Sequence, residues 1–509
     1  MLAKTKSYAL DGLVGYAVDV EVDINNGLPG YELVGLASTA TKESKERVRS
    51  AIKNSGYFYP TKRLTVNLAP ADTKKEGPSF DLPIALGILA ASGQVEGKRY
   101  KDYVFVGELS LDGKLRHVNG IMPILISAMQ NGERRFVIPK DNEREASYID
   151  GIEVYALETL RQAVDFLQGE EIQPVETSSY QSTCIAHGYG IDFADVKGQA
   201  VAKRALEIAV AGGHNVLMIG PPGAGKTMLA KCVPTIMPEM TFEEAVEVTK
   251  VHSVAGILDD SVGIVTTRPF RTPHHTTTVP AFIGGGTKAK PGEVSLANHG
   301  VLFLDEMPEY SRHALETLRQ PLEDRKVTVS RVAQSVEYPA NFMLIASMNP
   351  CPCGNFGSKT QICRCTPQQI HNYVAKLSGP LMDRIDLQIE VDNITFDEFR
   401  TRAEAESSAT IKARINAVRE IERNRFKDDG ILTNAEMSTA QINKYCKIDK
   451  DSERLLSKAF ERLNLSARGT TRILKVARTI ADMEGAQDIK PQHIAEAIQY
   501  RGLDRKYTL

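Results

Sequence analysis

Residues 216–231 read Val-Leu-Met-Ile-Gly-Pro-Pro-Gly-Ala-Gly-Lys-Thr-Met-Leu-Ala-Lys, a run of apolar residues, glycines and prolines, then a lysine. The run Val216-Leu-Met-Ile predicts a short buried strand. It stops at Gly220, turns through Pro221, Pro222, Gly223, Ala224 and Gly225, and gives way at Lys226 to a helical pattern. Strand, glycine-rich turn and helix in that order are the context in which G-x-x-x-x-G-K-[ST] is a phosphate loop. Glycines let backbone N–H groups and the positive end of the following helix face phosphate oxygens. Lys226 is expected to neutralise the β and γ phosphates of ATP, and Thr227 to offer its hydroxyl to Mg²⁺.

A second apolar run, Val301-Leu-Phe-Leu, delivers Asp305 and Glu306 at its end. Following the Lys226 loop in this order, Asp305 is expected to hold Mg²⁺ and Glu306 to polarise the attacking water. The pair points to an ATP hydrolase.

The chain has 509 residues, too many for one core, and about three domains of roughly 100–200 residues each are expected. Its composition, 42% apolar and 25% charged with a net charge of −2, is that of a soluble globular protein. Contact with nucleic acid therefore requires a local basic patch. Neither a signal-peptide core nor a bilayer-spanning apolar run is present, which predicts a cytoplasmic protein with no membrane partner.

Residues 1–170 alternate strand and helix signals. Leu64-Thr-Val-Asn-Leu, Tyr103-Val-Phe-Val and Arg135-Phe-Val-Ile predict strands, with a hairpin turning at Asp112-Gly113. Leu82, Ala85, Leu86, Leu89 and Ala90 predict one face of a helix, a second helix is expected near 121–130, and a last strand and helix run through Leu167. Residues 171–190 are polar and Ser/Thr-rich, and predict a linker. A nucleotide-binding domain is expected over 191–394, opening on a helix through Ala202, Ala205, Leu206, Ala209 and Val210. The remainder, 395–509, predicts a helical lid, with Asp451 before one helix, Ser466 capping the next and Pro491 starting the last.

Of the seven cysteines, Cys351, Cys353, Cys363 and Cys365 form two C-x-C pairs. Two thiolate knuckles can close a tetrahedral Zn²⁺ site with no ligand position left for catalysis. Free thiols or redox pairs are the alternatives, and a cytoplasmic setting favours structural zinc. Cys184, Cys232 and Cys446 carry no assigned role.

Taken together, the motifs make the chain resemble the magnesium-chelatase-like AAA+ ATPases, and within them the ComM/YifB competence family. The segments that carry the resemblance are Gly27-Leu-Pro, Val34-Gly-Leu, Val66-Asn-Leu-Ala-Pro-Ala-Asp, Gly107-Glu-Leu-Ser-Leu-Asp-Gly, Arg268-Pro-Phe-Arg-Thr-Pro-His-His, Gly284-Gly-Gly, Ser378-Gly-Pro-Leu-Met-Asp-Arg-Ile-Asp and Val476-Ala-Arg-Thr-Ile-Ala-Asp. They span nearly the whole chain. The resemblance implies an α/β architecture: an N-terminal Lon-protease-like domain of the ribosomal S5 domain 2 type, a central P-loop domain with a parallel sheet, and a C-terminal lid of the chelatase type. It also implies a homo-hexameric ring with ATP between subunits.

By the same resemblance, Asn349 orients the attacking water and Arg384 reaches the γ-phosphate of the neighbouring subunit. Arg468 senses nucleotide from the lid, although Arg472, one turn on, fits that role as well. Residues 249–300 resemble an insert placed toward the ring pore, carrying Arg268, Arg271, His274, His275, Lys288 and Lys290 with Phe270 and Phe282. These residue types suit a phosphate backbone, and a solvated loop with an apolar anchor fits them equally well. Ser79 in Gly77-Pro-Ser-Phe-Asp sits where Lon-type proteases keep their nucleophile, but Met122 or Ile124 stands where the lysine base belongs. The first domain is expected to bind a protein partner or DNA, or to help ring assembly. The family thus implies a DNA motor, a helicase for branch migration in natural transformation or recombination. A chelatase-type motor acting on a protein partner is the alternative, and an ATP-dependent Lon-like protease a more remote one.

Overall fold

The structure, a computed structural model, describes residues 2–501 apart from 37, 39–40, 42, 74, 76, 184–189, 260, 287–288, 331–334, 359–360, 394–405 and 464. The chain divides into two compact units, one of Met1–Ile185 with Thr241–Thr266 and one of Ala186–Met240 with Thr267–Leu509.

The first unit is built on a mixed sheet. Its strands are β1 (Leu2–Asp11), β2 (Val14–Asn25), β3 (Gly30–Val34), β4 (Arg63–Ala69) and β5 (Val104–Phe105). After the small hairpin β6 (Glu108–Leu109) and β7 (Leu115–Arg116) come β8 (Arg135–Pro139) and β9 (Glu153–Leu157). The sheet order is β3-β4-β2-β1-β5-β8-β9, with β2 antiparallel to both neighbours and the other pairs parallel. The β1–β2 hairpin was not anticipated. In β1 the buried Thr5 and Ser7 interrupt the apolar alternation that marks a strand, whereas β2 keeps it in buried Val18, Val20 and Val22. Thr5 satisfies its hydroxyl by donating to the Pro83 carbonyl at 3.0 Å.

Helix Asp81–Ala91 corrects one expectation, because it is buried on every side and not along a single face. It packs against β1 and β2, and Gly87 permits the approach: a Cβ there would stand 2.7 Å from Val22 Cγ2. Helices Ile121–Gln130 and Leu160–Gln168 and the turn at Asp112-Gly113 stand where the sequence places them.

Residues 241–266 lie in sequence within the expected nucleotide-binding domain, while in space they group with the first unit. Helix Phe242–Ala255 packs within the first unit. Ser253 Oγ donates to the buried Glu145 carboxylate at 2.6 Å and accepts the Gly120 N–H at 2.8 Å, while the Met122 N–H donates to the same carboxylate at 2.9 Å. Polar clasps between residues so distant in sequence leave no local signature.

The second unit contains a parallel sheet of β10 (Val216–Ile219), β11 (Phe270–Arg271), β14 (Val301–Leu304), β17 (Met343–Met348) and β18 (Leu387–Glu390). Its order is β11-β14-β17-β10-β18. Two small hairpins complete the strands, β12 (Gly284–Gly285) with β13 (Lys290–Pro291), and β15 (Lys326–Ser330) with β16 (Ser335–Pro339). Strands β10 and β14 are buried throughout, as expected for a parallel sheet covered on both faces.

Helices Ala200–Gly212, Lys226–Ile236, Ser408–Arg425, Ala467–Met483 and Pro491–Gln499 contribute to one hydrophobic core with that sheet. The expected border at 394/395 lies outside the described residues. Ser466 caps its helix by accepting the Gly469 N–H at 3.0 Å, and Pro491 opens the last helix. Asp451 does not precede its helix. Helix Lys450–Leu463 starts one residue earlier, and the Asp449 carboxylate accepts the Ser452 N–H at 2.7 Å.

Candidate nucleotide-binding site and cysteine knuckle

In a parallel α/β sheet, ligands bind outside the carboxyl ends of the strands where the strand order reverses. The ends of β10, β14 and β17 meet there. Gly220 closes β10 so tightly that a Cβ would stand 2.0 Å from the Val391 carbonyl oxygen. Gly223 and Gly225 take φ of +81° and +87°, which only glycine adopts without strain, and a Cβ on either would meet open space.

Helix Lys226–Ile236 begins at the lysine as the motif requires. Lys226 Nζ donates to the carbonyls of Gly220 (2.6 Å) and Pro221 (2.9 Å) and to Asn349 Oδ1 (3.2 Å). Burial lowers the pKa of this ammonium, against the pull of Asp305 and Glu306. Phosphate oxygens would offer it stronger, charged acceptors.

Thr227 Oγ1 donates to Asp305 Oδ2 at 2.9 Å. The pairing of a hydroxyl with a carboxylate, both hard oxygen ligands, fits Mg²⁺. The other Asp305 oxygen accepts from Ser347 Oγ and from the Glu306 N–H at 3.1 Å. Ser347 was missed in the sequence. Its signal was a polar residue inside the apolar run Met343-Leu-Ile-Ala-Ser-Met, and it is fully buried.

Glu306 is exposed and takes φ +49°, ψ +47°, a left-handed conformation uncommon for a residue with a Cβ. Such backbone persists where its surroundings hold it, and it clusters at functional sites. Gln199 was also missed. Its backbone is left-handed, at φ +57°, and its amide donates to the carbonyls of Asp392 (2.6 Å) and Ala224 (3.3 Å), tying the loop after β18 to the phosphate loop.

Lys226, Thr227, Asp305 and Asn349 are thus linked directly. Of the expected arginines, Arg384 and Arg472 are engaged elsewhere. Arg384 is 6% exposed, ion-paired to Glu323 and donating to the Pro380 carbonyl at 2.6 Å. Arg384 first, with Arg468 and Arg319 adding, holds the Glu323 carboxyl below its ordinary range. Arg472 is ion-paired to the buried Asp386. That carboxyl is held far down by Arg472, His214 and the Asn215 N–H, although burial alone would raise it. Arg468 is exposed. Arg468 and Arg472 thus differ in surroundings, the first exposed and the second ion-paired within the unit.

Among the expected basic contacts, Arg268 donates to the carbonyls of Pro238, Glu239 (3.2 Å) and His299 (2.7 Å). Arg271 forms a two-point pair with Glu293 at 2.6 and 2.8 Å. Both guanidinium groups serve internal contacts. His274 is exposed, and its ring stacks near His275 with centroids 4.1 Å apart. Lys290 is exposed, Phe282 is fully buried, and Lys288 lies outside the described residues. In the first unit Ser79, Met122 and Ile124 are all buried.

Cys351, Cys353, Cys363 and Cys365 place their sulfurs within 4.8 Å of one another. Sγ of Cys351 lies 3.4 Å from Cys353 and 3.7 Å from Cys363, and the latter two are 3.6 Å apart. These separations are too long for disulfides. They approach the roughly 3.8 Å edge of a tetrahedron with Zn–S bonds of about 2.3 Å. The four thiols fit Zn²⁺.

Family models for the magnesium chelatase subunit ChlI match residues 192–399 and 20–142, and the model for the ChlI C-terminal region matches 405–501. The competence protein ComM of Haemophilus influenzae is 44% identical over 509 residues, covering 99% of this chain and 98% of that protein. The uncharacterized protein YifB of Escherichia coli is 43% identical, covering 96% and 94%. A stretch of 144 residues, 27% of this chain and 18% of the relative, is 24% identical to the Lon protease of Finegoldia magna.

Proposed function

The chain belongs to the ComM/YifB family of magnesium-chelatase-like AAA+ proteins, and from that premise we propose that it is a ring-forming, Mg²⁺-dependent ATPase that couples hydrolysis to movement along DNA, serving branch migration in transformation or recombination. The observation that supports hydrolysis is the linked set Lys226, Thr227, Asp305, Ser347 and Asn349 at the carboxyl edge of the sheet.

In this reading Lys226 exchanges its carbonyl partners for phosphate oxygens. Mg²⁺, when bound by Thr227 and Asp305, neutralises charge on the phosphates. Ser347 holds Asp305 at a fixed angle, Glu306 accepts the proton of the attacking water, and Asn349 orients that water. Arg384 leaves Glu323 to serve the nucleotide of the adjacent subunit. Arg468, which is exposed, acts as the nucleotide sensor in preference to Arg472. The four cysteines hold a structural Zn²⁺. The first unit has the Lon-like fold without its peptidase activity, and meets DNA, a protein partner or the neighbouring subunit.

The test is ATP turnover by the purified protein with single-stranded, duplex and branched DNA. Stimulation by DNA, greatest with the branched form, is expected. Turnover indifferent to every DNA would favour a chelatase-type motor acting on a protein partner. The internal engagement of Arg268 and Arg271 favours that second reading, because it removes two cations from the expected DNA-facing set.

A further inference from the structure

The knuckle and the nucleotide pocket touch at two places. Gly354, at φ +79°, lies against the phosphate loop so closely that a Cβ would stand 2.7 Å from Pro222 Cδ and 3.3 Å from its Cγ. Cys351 is fully buried and follows by two residues Asn349, whose amide oxygen receives Lys226. At the other end, Cys365 runs through the cap Thr366 into helix Pro367–Val374. Tyr373 of that helix is buried.

Between β17 and that helix the described residues form no regular secondary structure. Their shape rests on local ties such as the Phe356 N–H to Cys351 Sγ contact at 3.3 Å, and on whatever joins the four sulfurs. Four thiols without a shared cation are joined only by weak S–H···S contacts. A bound divalent ion fixes all four at once and displaces their protons.

We propose that the metal held by Cys351, Cys353, Cys363 and Cys365 is a positioning device for the nucleotide pocket, pressing Gly354 against Pro222 and Asn349 toward Lys226, so that its occupancy sets nucleotide affinity. The proposal rests on the reading of the Lys226 pocket as the ATP site. Coupling of this kind is reciprocal: the factor by which Zn²⁺ tightens nucleotide binding is the factor by which nucleotide tightens Zn²⁺.

The experiment uses the full chain stripped of metal by a chelator, dialysed into Mg²⁺, and titrated with a fluorescent ATP analogue before and after addition of Zn²⁺ or Co²⁺. Metal loss is expected to weaken binding by about tenfold, within the usual range of coupling between sites, with restoration by either ion. Co²⁺ absorption reports four-thiolate coordination independently of nucleotide. Because the stripped protein could lose its fold, Gly354→Val provides a second arm: its side chain meets Pro222 and strains the backbone at φ +79° beside Cys353, so the Co²⁺ spectrum is read first, and a variant that keeps the four-thiolate spectrum should bind nucleotide about tenfold more weakly. Equal nucleotide affinity with and without metal, normal nucleotide affinity in Gly354→Val, or failure of the four cysteines to bind Zn²⁺ or Co²⁺ would each overturn the proposal. Lys226→Ala separates the two readings. If that variant binds the analogue as well as the unmodified chain, the assignment of the pocket fails first.

Discussion

Lys226 and Glu306 divide binding from chemistry at single residues. Lys226 makes three hydrogen bonds to oxygens of the pocket, and its loss removes a cation seated among them. Lys226→Ala is expected to weaken ATP binding at least about tenfold, whereas Glu306→Gln should bind ATP normally and lose roughly 10²–10⁴ in turnover, the usual worth of a positioned base. Equilibrium binding and single-turnover hydrolysis on both variants check this, and unchanged hydrolysis by Glu306→Gln would remove Glu306 from its role. A second residue-scale expectation concerns Glu422. It is fully buried, and burial pushes its carboxyl from 4.5 up to about 8, against Arg419 and the Asn434 N–H. Between those values the folded chain keeps a proton that the unfolded chain releases, so stability falls as pH rises from about 4.5 to about 8 and levels off above. Glu422→Gln keeps an acceptor for Asn434 and carries no titrating proton. The fall in Tm between pH 6 and 8 should be smaller in the variant, by roughly 2–4 °C per kcal/mol. Parallel Tm curves for the two proteins would count against the buried-acid reading.

At the scale of elements, helix Phe242–Ala255 is the piece that crosses from one unit's sequence into the other's structure. Its capping box at Thr241 and Glu244 and its glycine stop at Gly256 are local signals, sufficient to form the helix but silent on where it docks. Docking depends on Ser253, which stands between the Glu145 carboxylate and the Gly120 N–H. Ser253→Ala leaves both groups short of a partner in a buried setting, a cost of about 1–3 kcal/mol. Hydrogen exchange should show faster opening of residues 241–266 with little change in β10 and β14. Uniform exchange in the two proteins would mean that Ser253 does not hold the helix. Strand β1 makes the same point, since buried Thr5 and Ser7 replace apolar residues by which strands are recognised.

For the whole molecule, the decisive property is assembly. Arg384 is paired with Glu323 within its own chain, and among the described residues it makes no hydrogen bond to the phosphate loop. If it serves a neighbour's nucleotide, Arg384→Ala should reduce hydrolysis by about 10³-fold or more, and mixing in Lys226→Ala subunits, whose arginines are intact, should partly restore it. Full hydrolysis by a protein that stays monomeric with ATP and DNA would sink the ring model. With a net charge of −2, a ring contacts DNA only through cations repeated around its axis. Lys288→Ala/Lys290→Ala is therefore expected to lower DNA affinity and flatten its salt dependence while basal ATP turnover persists, measured by binding across a salt series.

What the sequence determined by itself was chemistry carried on short, contiguous stretches: the phosphate loop, the strand ending in Asp305 and Glu306, the four-cysteine spacing and the caps at Ser466 and Pro491. In each, the residues that act together are neighbours in the chain, or recur at a spacing that local backbone geometry explains. Only the tertiary structure decided which distant polar groups share a partner. It put Ser347 on Asp305 and Gln199 on the phosphate loop, committed Arg472 to Asp386, turned Arg268 and Arg271 inward, moved residues 241–266 into the first unit, and set the cysteine knuckle against Pro222. The physical reason is common to the polar contacts among them. A buried polar or charged side chain must find a complementary group, and which group comes within hydrogen-bond reach is fixed by packing across the fold, with no imprint on the residues beside it in sequence.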